Sequence, residues 1–127
     1  MMKINSIAPN FNFRGNAKEA LNLYETAFNA EIKVLIIDPE DNKSVWHSEF
    51  YINDQRFTAV DEPDAEVPNA HPVSLLVSFE KDEGVKQTFE QLQEGATIIF
   101  PMQQTEYSSC FVKLIDKFGI MWTLLTE

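Results

Sequence analysis

The chain has 127 residues, with 20 acidic against 10 basic side chains and a net charge of −10. That length fits one domain, or two small halves sharing a core; the charge argues against nucleic acid, because like charges repel at the phosphate backbone. No apolar run approaches the roughly 18 residues of a membrane span, and the opening Met-Met-Lys-Ile-Asn lacks the apolar core of a signal peptide, so a cytoplasmic protein without a membrane partner is expected.

Residues 3–13 read as a strand anchored by Ile4, Ile7, Phe11 and Phe13. Asn16 is placed to cap a helix, with Glu19 three residues later to close a capping box. Ala17, Ala20, Leu21, Tyr24, Ala27 and Phe28 then form one helical stripe, and Asn29 suits the left-handed position at the helix end. Strands are expected at 31–37, ended by Asp38-Pro39, then at 44–52 and 55–61, the last two joined by a tight turn at Asn53-Asp54. Residues 62–70 carry two prolines and several acids and read as a linker.

After the linker the order repeats. A strand is expected at 72–79. Asp82 can cap a helix that Gly84 opens, that carries Val85, Phe89 and Leu92 on one face and that Gly95 stops. A strand at 97–100 is halted by Pro101. Two apolar runs, 111–115 and 120–125, flank Asp116-Lys-Phe-Gly119, a hairpin whose turn needs the φ > 0 freedom of Gly119. Cys110 cannot form an intrachain disulfide and lies in an apolar run, which predicts a buried, inert thiol. The helix exits also match, Asn29-Ala-Glu-Ile against Gly95-Ala-Thr-Ile. The reading is an α+β fold of two βαβββ modules, residues 1–61 and 71–127, joined by 62–70 into one compact domain.

Three stretches carry a family resemblance: Phe13-Arg-Gly-Asn-Ala-Lys-Glu-Ala-Leu-Asn-Leu-Tyr24, Trp46-His-Ser-Glu-Phe-Tyr-Ile-Asn-Asp54 and Asp116-Lys-Phe-Gly-Ile-Met-Trp122. In this order and spacing they resemble the vicinal oxygen chelate superfamily (glyoxalase I, bleomycin-resistance proteins, extradiol dioxygenases), and within it the PhnB-like branch, long labelled as demethylubiquinone methyltransferases. The resemblance covers nearly the whole chain. It implies that the modules curl into a half-open barrel with a cavity inside and the helices outside, and that the protein forms a homodimer.

In the superfamily enzymes the resemblance implies a divalent metal held by His and Glu residues of the first, fourth, fifth and eighth strands. The matching positions here are poor in ligands. The eighth-strand Glu, four residues after the turn glycine, falls on Thr123. The first-strand ligand falls near Pro9 or Asn10, the fifth near 73–75 with Ser74 its one polar candidate, and the fourth within 58–61, where only Asp61 could ligate well. No set supplies the three or four ligands of a catalytic centre, so no metal and no cofactor is expected. His47 and Glu49 stand two apart on a strand and share a face; they read as a polar pair beside Tyr51, or as two ligands if a third acid converged. His71 reads as a loop residue. No glycine-rich turn follows a strand, so the methyltransferase label finds no support in the residues.

Strand alternation puts Val45, His47, Glu49 and Tyr51 on one face, with Trp46, Ser48, Phe50 and Ile52 on the other, under a helix. It puts Tyr107, Ser109, Phe111 and Lys113 on one face, and Met121, Thr123 and Leu125 opposite Ile120, Trp122 and Leu124. The expected ligand-binding residues are His47, Glu49, Tyr51, Ser109, Lys113 and Thr123, around a cavity for a small molecule. Trp122 reads as core. Two functions fit: a metal-free binder of a small, cationic or aromatic compound, or an enzyme using a divalent metal or His47 and Glu49 as an acid–base pair.

Overall fold

The computed structural model describes Lys3, residues 5–62 and residues 73–127. Eight strands and two helices run in chain order: β1 (Asn10–Phe13), α1 (Ala17–Phe28), β2 (Glu31–Ile37), β3 (Val45–Ile52), β4 (Gln55–Asp61), β5 (Leu75–Phe79), α2 (Asp82–Leu92), β6 (Thr97–Gln103), β7 (Phe111–Ile115) and β8 (Met121–Thr126). The chain divides into two compact units, Met1–Glu66 and Val67–Glu127. Each is a βαβββ module with a four-stranded sheet, ordered β1-β4-β3-β2 in the first and β5-β8-β7-β6 in the second. Neither sheet closes on itself. The linker residues 63–70 and His71 lie outside the described residues.

In the first module α1 covers one sheet face. Its stripe of Ala17, Ala20, Leu21, Tyr24 and Ala27 is buried. Tyr24 stacks on Phe50 at 6.0 Å and meets Phe11 edge-on at 6.1 Å, while Phe50 and its cross-strand partner Phe57 stack at 5.0 Å. Such pairs add about 0.5–1.5 kcal/mol each beyond burial. Asn29 ends the helix at φ 57, in the left-handed region.

The helix start differs from the expected capping box, since Asn16 makes no side-chain cap. Asp61, at the far end of β4, does that work: its Oδ1 accepts from the amides of Gly15 at 2.8 Å and Ala17 at 3.0 Å, and its Oδ2 from that of Val45 at 2.9 Å. A charged carboxylate bonds those amides strongly and fixes the chain on both sides of Asn16 without a bond from its side chain. The alternation expected for β3 also slips. Ser48 and Phe50 are buried beneath α1, but Val45 is buried too and Trp46 is 60% exposed. Ile36 pairs with His47 and Ile37 with Val45, so Trp46 is the extra residue of a bulge and the phase shifts by one there.

The second module repeats the plan. Val85, Thr88 and Leu92 of α2 are buried, and Val112, Leu114, Trp122 and Leu124 are all fully buried. The expected Asp82 cap is not made: Lys81 holds the cap position, and the Asp82 carboxylate accepts from the Ser109 hydroxyl instead. Gly84 is required by space, because a Cβ there would lie 2.6 Å from the Phe79 ring. The strand expected to stop at Pro101 continues to Gln103. It can do so because β6 is an edge strand, where proline's missing N–H costs no interior bond. The opening strand is shorter than 3–13: it runs from Asn10, and of the residues before it Pro9 lends its carbonyl to the Thr58 amide at 3.0 Å. The strand expected at 72–79 is described from Leu75.

The turn 116–119 behaves as the sequence requires, with Gly119 at φ +94. Asp116, 3% exposed, organises it. Its Oδ1 accepts from the amides of Phe118 at 2.9 Å and Ile120 at 3.1 Å, and its Oδ2 from the Trp122 indole at 2.8 Å. The spacing of Asp116, Gly119 and Trp122 is thus one hydrogen-bonded unit. Cys110 is buried, and burial pushes its thiol pKa up. Asp116→Ala leaves the buried indole N–H and two turn amides without this acceptor, so a loss of about 2–4 kcal/mol is expected in urea denaturation, with Asp116→Asn costing less; a change in Asp116→Ala below about 1 kcal/mol would contradict this role.

Candidate functional site

The strands of each module turn one face away from the helix. In the first module the register sets this face residue by residue. Asn10 lies beside Thr58, Thr58 opposite Glu49, and Arg56 opposite Tyr51, with Val34 and Ile36 opposite Glu49 and His47. His47, Glu49 and Tyr51 are therefore together, as the sequence suggested. Glu49 is the hub: its Oε1 accepts from Arg56 Nε at 2.5 Å, and its Oε2 lies 3.6 Å from His47 Nε2. The hydrogen bond from Arg56 holds the Glu49 carboxyl below its ordinary range against a smaller opposing effect of desolvation, with His47 adding to the lowering. Lys33 places its ammonium 4.5 Å from the Tyr51 ring centre.

In the second module the equivalent face carries Lys113 paired with Thr123, Phe111 paired with Leu125, and Leu76 paired with Thr123. Phe100 is the partner of Lys113 on the other side, and the Lys113 ammonium lies 5.7 Å from its ring centre. Lys113 and Thr123 are thus brought together. Ser109 is not on this face. β7 begins only at Phe111, and Ser109 sits in the preceding loop, joined to Asp82 and, at 2.8 Å, to the Thr126 hydroxyl. There it belongs to a network with Ser108, whose Oγ is 3.0 Å from Thr126 Oγ1, that closes the end of β8.

Where the resemblance would put a divalent metal, near Asn10, within 58–61, near Ser74 and at Thr123, neutral groups are engaged with each other. The Thr58 hydroxyl donates to Asn10 Oδ1 at 2.6 Å, and the Ser74 and Thr123 hydroxyls lie 2.9 Å apart. The first pair joins the parallel strands β1 and β4, and the second joins the residue just before β5 to β8. Asp61, the one good ligand candidate, already accepts three backbone amides. Glu49 has Arg56 against it, and that cation repels a metal ion. Among the described residues no group of three His, Cys, Asp or Glu gathers. Hydroxyl and amide oxygens without a carboxylate or imidazole are a poor donor set for a catalytic divalent metal, so these residues do not fit one.

The sequence reading missed Arg56, the Asn10–Thr58 pair and Phe100. Arg56 was within reach of counting: the two-residue turn at Asn53-Asp54 pairs Ile52 with Gln55 and so Tyr51 with Arg56. The contact of Phe100 with Lys113 depended on β6 and its irregular register, which no local signal gives.

The family model described as 3-demethylubiquinone-9 3-methyltransferase matches residues 5–125. The PhnB protein of Bacillus cereus, described by the same name, is 29% identical, with a TM-score of 0.88 over 97% of this chain and 100% of that one. Protein PA1353 of Pseudomonas aeruginosa is 20% identical, with a TM-score of 0.87 over 98% of each chain. The fosfomycin resistance protein FosX of Mesorhizobium loti shares the fold at 13% identity, with a TM-score of 0.70 over 98% of this chain and 94% of that one. No curated protein matches the chain. Among the described residues no helix is long and apolar enough to cross a membrane.

The ion pair at the hub predicts a pH signature. Because the native Glu49 pKa lies below its unfolded value, its contribution to stability is present above the unfolded pKa near 4.3 and fades as pH falls through the native one. Arg56→Gln should raise the Glu49 carboxyl pKa in a carbon-detected NMR titration and lower stability near neutral pH, the two proteins converging in acid. An unmoved Glu49 titration would show the contact to be absent in solution.

Proposed function

We propose a function from one established premise: this chain belongs to the 3-demethylubiquinone-9 3-methyltransferase family, the PhnB-like branch of the vicinal oxygen chelate superfamily. The function is metal-independent binding of a small molecule on the strand face of a module turned away from its helix, a face that carries His47, Glu49, Tyr51 and Arg56 in the first module and Lys113 and Thr123 in the second. The observation that carries it is the pairing of Asn10 with Thr58 and of Ser74 with Thr123. A metalloenzyme needs carboxylate or imidazole at such positions; this chain has neutral groups that satisfy one another. Ser109, tied into the loop network, is left out of the proposed site.

A second reading rests on His47. Its Nε2 faces a carboxylate that is in turn held by Arg56. An imidazole so oriented and 43% exposed can accept a proton from a bound compound. The first reading predicts a ligand released unchanged; the second predicts turnover lost in His47→Ala with binding retained.

Purified without an affinity tag and titrated with Mn(II), Zn(II), Ni(II) and Fe(II), the protein is expected to bind none stoichiometrically. Tight one-to-one uptake lost in Asn10→Ala or Thr123→Ala would overturn the metal-independent reading.

A further inference from the structure

We propose that the seat for the ligand lies in the second module, between Phe100, Tyr107 and Phe111, and that it takes a planar aromatic carboxylate; this deepens the small-molecule reading above and rests on it. A groove of 240 Å³ opens there, with Gln103 and Thr105 completing its lining. Cavities of about 150 Å³ hold a single benzene ring, so this one has room for one or two fused rings. Phe111 forms a buried floor, at 9% exposure, while Phe100 and Tyr107 stand up from it at 48% and 67%. Phe100 meets Phe111 at 6.4 Å and 60°, and Tyr107 meets it at 6.1 Å and 88°. Two rings held upright over a third leave faces and edges in water that a flat apolar guest would cover at the same ring spacing.

Charge selects the guest. Aromatic walls alone would also suit an organic ammonium. Here the Lys113 ammonium lies 5.7 Å from the centre of the Phe100 wall, and among the described residues it makes no ion pair. It repels a cation and offers a carboxylate its partner. Glu80, Glu106 and Glu127 line the neighbouring groove that shares Thr105 and Tyr107, so the guest's carboxylate points away from them, past Phe100 to Lys113, which stands beside the groove and not in its lining.

Calorimetric titration of the full chain with 2-naphthoate in EDTA-containing buffer is the test, beside neutral 2-naphthalenemethanol and 2-naphthylmethylammonium. Expected is one-to-one binding of naphthoate, tighter than either analogue. Lys113→Gln should weaken naphthoate about tenfold, the scale of one charge-assisted contact, and leave the neutral analogue unchanged. Phe100→Ala and Tyr107→Ala, both at exposed positions, should weaken naphthoate and the neutral compound alike. Absent naphthoate binding with and without metal, or tighter ammonium binding, overturns the proposal. Naphthoate binding in EDTA that none of the substitutions moves overturns this seat but leaves metal-independent binding standing. Binding that needs added Mn(II) yet still weakens in Lys113→Gln supports the seat and overturns metal independence.

Discussion

The first strand of each module runs parallel to its last, β1 beside β4 and β5 beside β8. Parallel neighbours cannot be joined by a tight turn; the chain must leave the sheet and come back. A helix and two further strands make that return in both modules, which puts the helix on one face and frees the other. The same pairing sets Asn10 beside Thr58 and brings Ser74 to Thr123. It also brings the end of the last strand to the start of the helix, and that corner has to be satisfied by side chains. In the first module Asp61, registered with Phe13, takes backbone amides there. In the second, Thr126 stands at the matching register with Phe79 and works through hydroxyls with Ser108 and Ser109, the latter held by Asp82.

The chain is rich in acids, and four of its carboxylates are engaged by the scaffold. Asp61 ties strand and helix, Asp116 ties turn and indole, Asp82 holds a loop hydroxyl, and Glu49 faces Arg56. Each has a scaffold partner within hydrogen-bond distance. The neutral pairs Asn10–Thr58 and Ser74–Thr123 likewise take their partners within their own sheets. The sheet frame does not depend on what its free face displays.

Much of this was legible in the sequence. Element order, the α1 stripe, the Asn29 exit and the Gly119 turn are local, each set by residues within a few positions of one another. So was the placing of His47, Glu49 and Tyr51 on one face, which needs only alternation. What escaped depends on distant residues. The α1 cap comes from Asp61, more than forty positions away, so the nearer Asn16 looked like the donor-satisfying residue. The phase of β3 slips at Trp46 because of how β2 pairs with it, and alternation alone puts Trp46 on the wrong side. Ser109 looked like a strand residue because its run continues the period of β7; the hydroxyl network at Thr126 holds it in a loop.

The irregular pairing is confined to one outer ladder of each sheet. The β3–β4 and β7–β8 ladders run in register, whereas the ladders that join the marginal strands β2 and β6 to β3 and β7 carry the shifts. β6 also exposes Ile98, Ile99 and Phe100 in succession, a composition that in a straight margin would recruit a strand from another molecule. Pro101 follows at once and has no N–H to offer, and the shifts on either side of Phe100 break the even spacing that a recruited strand would need. An apolar margin built this way is a poor template for a strand from another molecule.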